Sequence, residues 1–171
     1  MSAEDPRSIE ALAARVIDLH SRAGAMVAIA ESCTGGLVTA ALTEIPGSSA
    51  VVDRGFVTYS NEAKRDLLGV DPETLSSHGA VSKPVAIAMA EGALRASRAR
   101  ATVSITGVAG PGGGSAEKPV GLVHFACAVR GGETRHVEKC FGDIGRAGVR
   151  IASVRTALEM LIETDQSGGR D

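Results

Sequence analysis

Apolar residues Ile9, Leu12, Val16 and Leu19 recur at helical spacing and predict an amphipathic helix over about residues 7–22, ended by Gly24. Met26-Val27-Ala28-Ile29-Ala30 is a continuous apolar run too short for a helix, so it reads as a buried strand. Glu31-Ser32-Cys33-Thr34-Gly35-Gly36 interrupts the pattern before a helical stretch from Leu37 to Thr43. A second strand is expected over about 51–59, ending in Phe56-Val57-Thr58-Tyr59. Ser60 or Asn61 can then cap a helix over about 62–68, and Asp71-Pro72-Glu73 is a further helix start. Ser82 opens a longer helix to about Arg98, with Val85, Met89 and Ala93 on one face. Ala101 to Ile105 forms a third strand and Val120 to Val129 a fourth, with Gly131-Gly132 turning into a fifth over about 133–141. A last helix spans about 145–163, and the tail 166–171 is expected to fray.

Helices and strands alternate early and a hairpin comes late. That order predicts an α/β fold, a three-layer α/β/α sandwich with a mixed sheet. The 171 residues fit a single domain over 1–171, with its core at about 8–163. Several strands run directly into Gly/Ser/Thr-rich loops, where open α/β sheets bind their ligands.

Composition sharpens this picture by exclusion. With 21 glycines against 3 Phe, 1 Tyr and no Trp, the core must be built from Ala, Val, Ile and Leu. Such a chain lacks the aromatic platform on which single-stranded nucleic acid stacks. Its net charge of −2 also argues against a general nucleic-acid binder, while one or two placed cations would still suffice for a small anion. No apolar run is long enough for a membrane span, so no membrane association is expected. The acidic start MSAEDPRSIE does not resemble a signal peptide, and Cys33, Cys127 and Cys140 fit a reducing, cytoplasmic compartment. The cysteines and the four histidines show no metal-binding spacing, and the histidines read as structural.

Three loops can carry chemistry. In Glu31-Ser32-Cys33-Thr34-Gly35-Gly36, a serine at a strand end stands beside backbone N–H groups suited to a phosphate or an oxyanion. The plainer alternative is that Ser32 or Thr34 caps the next helix. Cys33 competes as nucleophile, although a buried thiol usually serves as a small hydrophobe. Lys64 falls in the first turn of a helix, where the macrodipole opposes its charge; burial would oppose it further and leave a neutral amine able to act as base. Against this stands an ordinary solvated lysine, and the argument gains weight only if Ser32 is near. The third loop, Thr106 to Pro119, fails both the P-loop and the G-x-G-x-x-G patterns. Its closely spaced amides, with Gly107, Gly110 and Gly112 among them, and Lys118 nevertheless suit a small anion better than a plain turn.

These loops, with Ile45-Pro46-Gly47-Ser48-Ser49, Gly79-Ala80-Val81-Ser82 and Lys118-Pro119-Val120-Gly121, make the chain resemble the CinA C-terminal domain family from about residue 8 to 163. Stand-alone members of that family hydrolyse the carboxamide of nicotinamide mononucleotide, releasing ammonia in pyridine-nucleotide recycling. Some members carry a further N-terminal domain similar to molybdopterin-binding folds, for which this chain is expected to have no room. The resemblance implies that Ser32 is the nucleophile, that Tyr59 and Lys64 complete a Ser-Tyr-Lys site, and that Thr106 hydrogen-bonds the amide. It also implies that Gly35 and Gly36 form the oxyanion hole, that the glycine loop binds substrate and that Arg146 meets the phosphate, with Arg150 as the alternative. No metal or organic cofactor is required. The expected partner is a small-molecule nucleotide substrate, and homo-oligomerisation is expected on base rates alone. The competing reading is a non-catalytic module that binds a nucleotide or a protein through the same loops. A nucleic-acid-associated role is disfavoured by the charge and the lack of aromatics.

Overall fold

The computed structural model describes Asp5 and residues 8–166. Its elements run in the order α1 (Ile9–Arg22), β1 (Val27–Glu31), α2 (Leu37–Thr43), a 3-10 turn (Ser48–Ala50), β2 (Val52–Val57), α3 (Asn61–Leu68), α4 (Pro72–His78), α5 (Lys83–Arg95), β3 (Ala101–Gly107), β4 (Leu122–Val129), β5 (Arg135–Cys140) and α6 (Gly145–Gln166). The predicted elements are all present, with shifted ends. The second strand stops at Val57 because the chain must turn at Thr58 and Tyr59 to enter the Ser60 cap of α3. The last helix runs to Gln166, and the fraying expected beyond it lies outside the described residues.

The strands form one mixed sheet in the order β2-β1-β3-β4-β5. The first three are parallel, and β4 and β5 are added antiparallel through the hairpin. Alternation along each strand sorts residues to two sides. Val27, Ile29, Val103 and Ile105 face α1, α2 and α6 in the larger core, together with Val16, Leu42 and Leu158. Ala30 faces the opposite layer, where Leu68 and Leu75 pack with Val85 and Met89 of α5. The result is the expected α/β/α sandwich.

Small residues bring α5 unusually close to the sheet. Ala86 and Ala90 pack on Ala126 and Ala128. The hydroxyls of Thr102 and Ser104 donate to the carbonyls of Ala90 and Ala86, at 2.7 and 2.6 Å, and Thr106 donates to Ala80 just before the helix, at 2.8 Å. Polar residues on a fully buried strand are thus satisfied by helix carbonyls, at little net cost.

Gly92 shows how tight this layer is. A Cβ there would collide with the Leu68 carbonyl oxygen and lie 2.9 Å from its carbon. Gly92→Ala is expected to destabilise the fold by about 1–3 kcal/mol through overpacking, despite the better helix propensity of alanine. Urea denaturation of the variant beside the parent chain measures it.

Candidate active site

The parallel half of the sheet delivers its loops to one edge. β1 ends in Glu31, and the next residue, Ser32, stays attached to the sheet through its N–H, which donates to the Ile105 carbonyl at 3.0 Å. The chain then turns through Gly35 and Gly36, both at positive φ (59° and 101°), to enter α2. Only glycine adopts two successive conformations of this kind without strain. Gly36 is the N-cap of α2 and has no side chain to cap it. The Glu31 carboxylate does so instead, accepting from the N–H groups of Gly36, Val38 and Thr39.

The Lys64 side chain reaches this turn from α3. It is 1% exposed, among the largest fully buried side chains of the protein. Its Nζ lies 3.0 Å from Ser32 Oγ, 2.8 Å from the Thr58 carbonyl and 3.5 Å from the Tyr59 carbonyl. No carboxylate forms an ion pair with it among the described residues. Burial pushes its pKa below the ordinary lysine value, against a smaller opposing influence of Cys33. A neutral amine has two N–H bonds and one lone pair. With the two carbonyls taking the N–H bonds, the lone pair is left for the Ser32 hydroxyl. In that protonation state the geometry would suit a serine nucleophile paired with a lysine base.

Burial pushes the Cys33 thiol in the opposite direction, up to about 11, which disfavours the thiolate that a cysteine nucleophile needs. Ser32, Cys33 and Lys64 open onto a cleft of about 300 Å³, whose walls also include Tyr59, Thr106, Arg146 and the loop from Gly107 to Gly113. The second wall, Ala80 and Val81, belongs to the α4–α5 connection. Lys118 joins the two walls by donating to the His78 carbonyl at 2.6 Å, so it anchors the glycine loop and is not a free cation. No histidine lines the cleft; His124 and His136 bond each other at 3.0 Å, and His20 bonds the Leu161 carbonyl.

Several expectations about individual groups need correction. Gly35 and Gly36 do not line the cleft, and their amides already have acceptors: Gly35 donates to the Ser32 carbonyl and Gly36 to Glu31. They are closing the turn, so they cannot also hold an oxyanion. Tyr59 does not connect Lys64 with Ser32. Its side chain is 59% exposed, with its hydroxyl accepting from Arg146 at 3.0 Å, while Lys64 meets only its backbone carbonyl. The Thr106 proton is donated to Ala80, which leaves its oxygen lone pairs for a ligand. Arg146 lines the cleft and braces it by donating to the Gly110 carbonyl at 2.9 Å. Arg150 is directed elsewhere, donating to the carbonyls of Cys33 and Thr34 at 3.2 Å each. Of the two arginines, only Arg146 is placed to meet a ligand.

Two residues matter more here than the sequence suggested. Glu31 lay inside the quoted motif, but its spacing to the helix start carried no mark of a cap from five residues away. Arg150 is legible in sequence as the neighbour of Arg146 one helical turn later and as the alternative phosphate contact, but not as the brace of the Ser32 turn.

The profile of the CinA C-terminal domain matches residues 9–164. The nicotinamide-nucleotide amidohydrolase PncC of Escherichia coli (strain K12) is 57% identical over 139 residues, covering 81% of this chain and 83% of that protein. A CinA-like protein of Syntrophobacter fumaroxidans is 52% identical over 146 residues, which cover 84% of this chain but 34% of that longer protein. Among solved structures, the competence/damage inducible protein CihA from Agrobacterium tumefaciens superposes with a TM-score of 0.92 at 61% identity, covering 97% of this chain and 100% of that one.

A fluorophosphonate, which labels activated serines, provides a test of the dyad that needs no substrate. Mass spectrometry should locate the adduct on Ser32, with labelling lost in Lys64→Arg, because guanidinium does not deprotonate. Tyr59→Phe should label at close to the parental rate, since no proton passes through its hydroxyl. Labelling of Lys64→Arg at the parental rate would show that Lys64 is not the base.

Proposed function

Because the chain belongs to the CinA C-terminal domain family, we propose that it hydrolyses the carboxamide of nicotinamide mononucleotide to nicotinate mononucleotide and ammonia. The reading rests on one observation above all: a buried lysine amine 3.0 Å from a strand-end serine, inside a cleft. A module that merely binds a nucleotide has no use for such an amine.

Neutral Lys64 takes the Ser32 proton as Oγ attacks the carboxamide carbon, forming a tetrahedral intermediate. Lys64 then gives that proton to the departing nitrogen, ammonia leaves, and an ester to Ser32 remains. Water, deprotonated by the same amine, attacks the ester; nicotinate mononucleotide leaves and Ser32 recovers its proton. Thr106 Oγ1, its rotor fixed by the bond to Ala80, accepts from the carboxamide NH₂ and orients it. The backbone N–H groups of Ala109, Gly110, Gly112 and Gly113 have no protein acceptor among the described residues, and these residues line the cleft. They and Arg146 supply donors for the substrate's negative charge.

The same reading puts the enzyme in the cytoplasm, where free Cys33, Cys127 and Cys140 remain reduced. No described helix is long and apolar enough to cross a membrane. Assembly into a homo-oligomer is the expectation for such enzymes.

Ammonia release from nicotinamide mononucleotide tests this directly. Ser32→Ala and Lys64→Arg should each lower kcat/KM by about 10²–10⁴-fold. A parent protein that releases no ammonia refutes the substrate, and undiminished release by Ser32→Ala refutes the nucleophile. The pH profile carries a sign: the base works unprotonated, so kcat/KM should fall as pH drops through a lysine pKa that burial has lowered. Arg146→Met should raise KM roughly 10–100-fold while largely sparing kcat, the effect of losing charge-assisted bonds to a phosphate.

A further inference from the structure

Glu31 is the one fully buried carboxylate in the motif that carries the nucleophile, and the chemistry above makes no use of it. It is 0% exposed, and its surroundings satisfy it completely. Oε2 accepts from the Gly36 N–H at 3.1 Å and the Val38 N–H at 3.0 Å. Oε1 accepts from the Thr39 N–H at 2.9 Å and the Thr39 hydroxyl at 2.8 Å. Ordinary helix caps come from the residue at the cap position and bond two or three residues ahead. Here the cap comes from the preceding strand and spans five to eight residues. Position 36 cannot supply its own side-chain cap, because its backbone lies at φ 101°, which glycine alone adopts without strain. What the remote cap adds is a closure: residues 32–35 become a loop fastened at both ends, by β1 and β3 on one side and α2 on the other.

A second contact supports the same conclusion from the opposite direction. Thr39 is pressed against Gly55 of β2, where a Cβ would overlap the Thr39 hydroxyl and lie 2.9 Å from its methyl carbon. Gly55 has an ordinary strand backbone, without positive φ, so its conformation does not call for glycine. The space is reserved for Thr39, whose hydroxyl faces Glu31. Three elements thereby converge on one carboxylate immediately before Ser32.

We propose that Glu31 is a positioning residue of the hydrolase, an internal anion that locks the turn from β1 into α2 and so fixes Ser32 Oγ against the Lys64 amine. The proposal rests on the Ser32–Lys64 reading. Its consequence is that disturbing the lock, even from β2, misaligns the dyad while the substrate-binding walls, carried by other loops, are left in place.

Glutamine at this position offers one acceptor oxygen and an NH₂ that would face two donors. Steady-state kinetics with nicotinamide mononucleotide should therefore show Glu31→Gln lowering kcat by about 10–100-fold, the scale of an ångström of misplacement, with KM within about 2-fold of the parent. Thr39→Val and Gly55→Ala should shift kcat in the same direction by smaller factors, and Thr39→Ser, which keeps the hydroxyl, should restore it. Thermal melts and far-UV circular dichroism correct each rate for the fraction folded. A kcat within about 2-fold of the parent for folded Glu31→Gln overturns the proposal. So does a Thr39→Val defect that Thr39→Ser shares equally, which also decides the matter if Glu31→Gln fails to fold. Ser32→Ala run alongside separates the two levels: if it stays active, the dyad reading fails, whereas a dead Ser32→Ala with a normal Glu31→Gln refutes only the role of Glu31.

Discussion

The buried amine of Lys64 is the constraint around which the active edge is organised. Removing a lysine from water is costly for its charged form, and among the described residues no carboxylate pairs with it. What surrounds it is instead a pair of backbone carbonyls and one hydroxyl, a set that a neutral amine can satisfy fully. Those carbonyls belong to Thr58 and Tyr59, where β2 gives way to α3. The early end of β2 and the capping of α3 by Ser60 thus have a chemical consequence, because together they aim the Lys64 amine at Ser32.

Holding the serine opposite that amine falls to a different part of the fold. The parallel strands β1 and β3 bring Ser32 and Thr106 to the same edge, as expected where parallel strands end beneath helices. Helix α6 then secures the loops from above. Arg150 takes two carbonyls of the nucleophile turn, and Arg146, one turn earlier, takes Gly110 and the Tyr59 hydroxyl. Two arginines four residues apart therefore hold three loops, and only the one toward the cleft is left able to meet an anion.

Much of this was legible along the chain. The periodicity of Ile9 to Leu19, the apolar run before Glu31 and the Gly131-Gly132 turn led to the correct element order and a mixed sheet. The strand ends placed Ser32, Lys64 and Thr106 beside loops, and the first-turn position of Lys64 already pointed to an unstable charge. The errors share one cause. Gly35 and Gly36 looked like donors because backbone N–H groups in a glycine turn are free in sequence, but an acceptor from β1 occupies one and the turn itself the other. Tyr59 looked like a relay because it is the sole tyrosine at a strand end, yet its backbone faces the lysine and its side chain faces out. Competition for a hydrogen-bonding group is decided by partners distant in sequence, and spacing does not report it.

The sequence by itself determined which segments become helix and strand, that the core would be built from Ala, Val, Ile and Leu, and which residue types stand at the ends of the parallel strands. Those follow from local periodicity and from the few conformations that glycine, proline and capping residues favour. Only the tertiary structure decided which of the groups are free to act. A lysine becomes a candidate base when the fold brings it 3.0 Å from a serine thirty-two positions away and buries it there, and an amide ceases to be an oxyanion donor when a carboxylate already holds it. Both outcomes depend on desolvation and on exclusive hydrogen bonding, which arise only once the layers have closed.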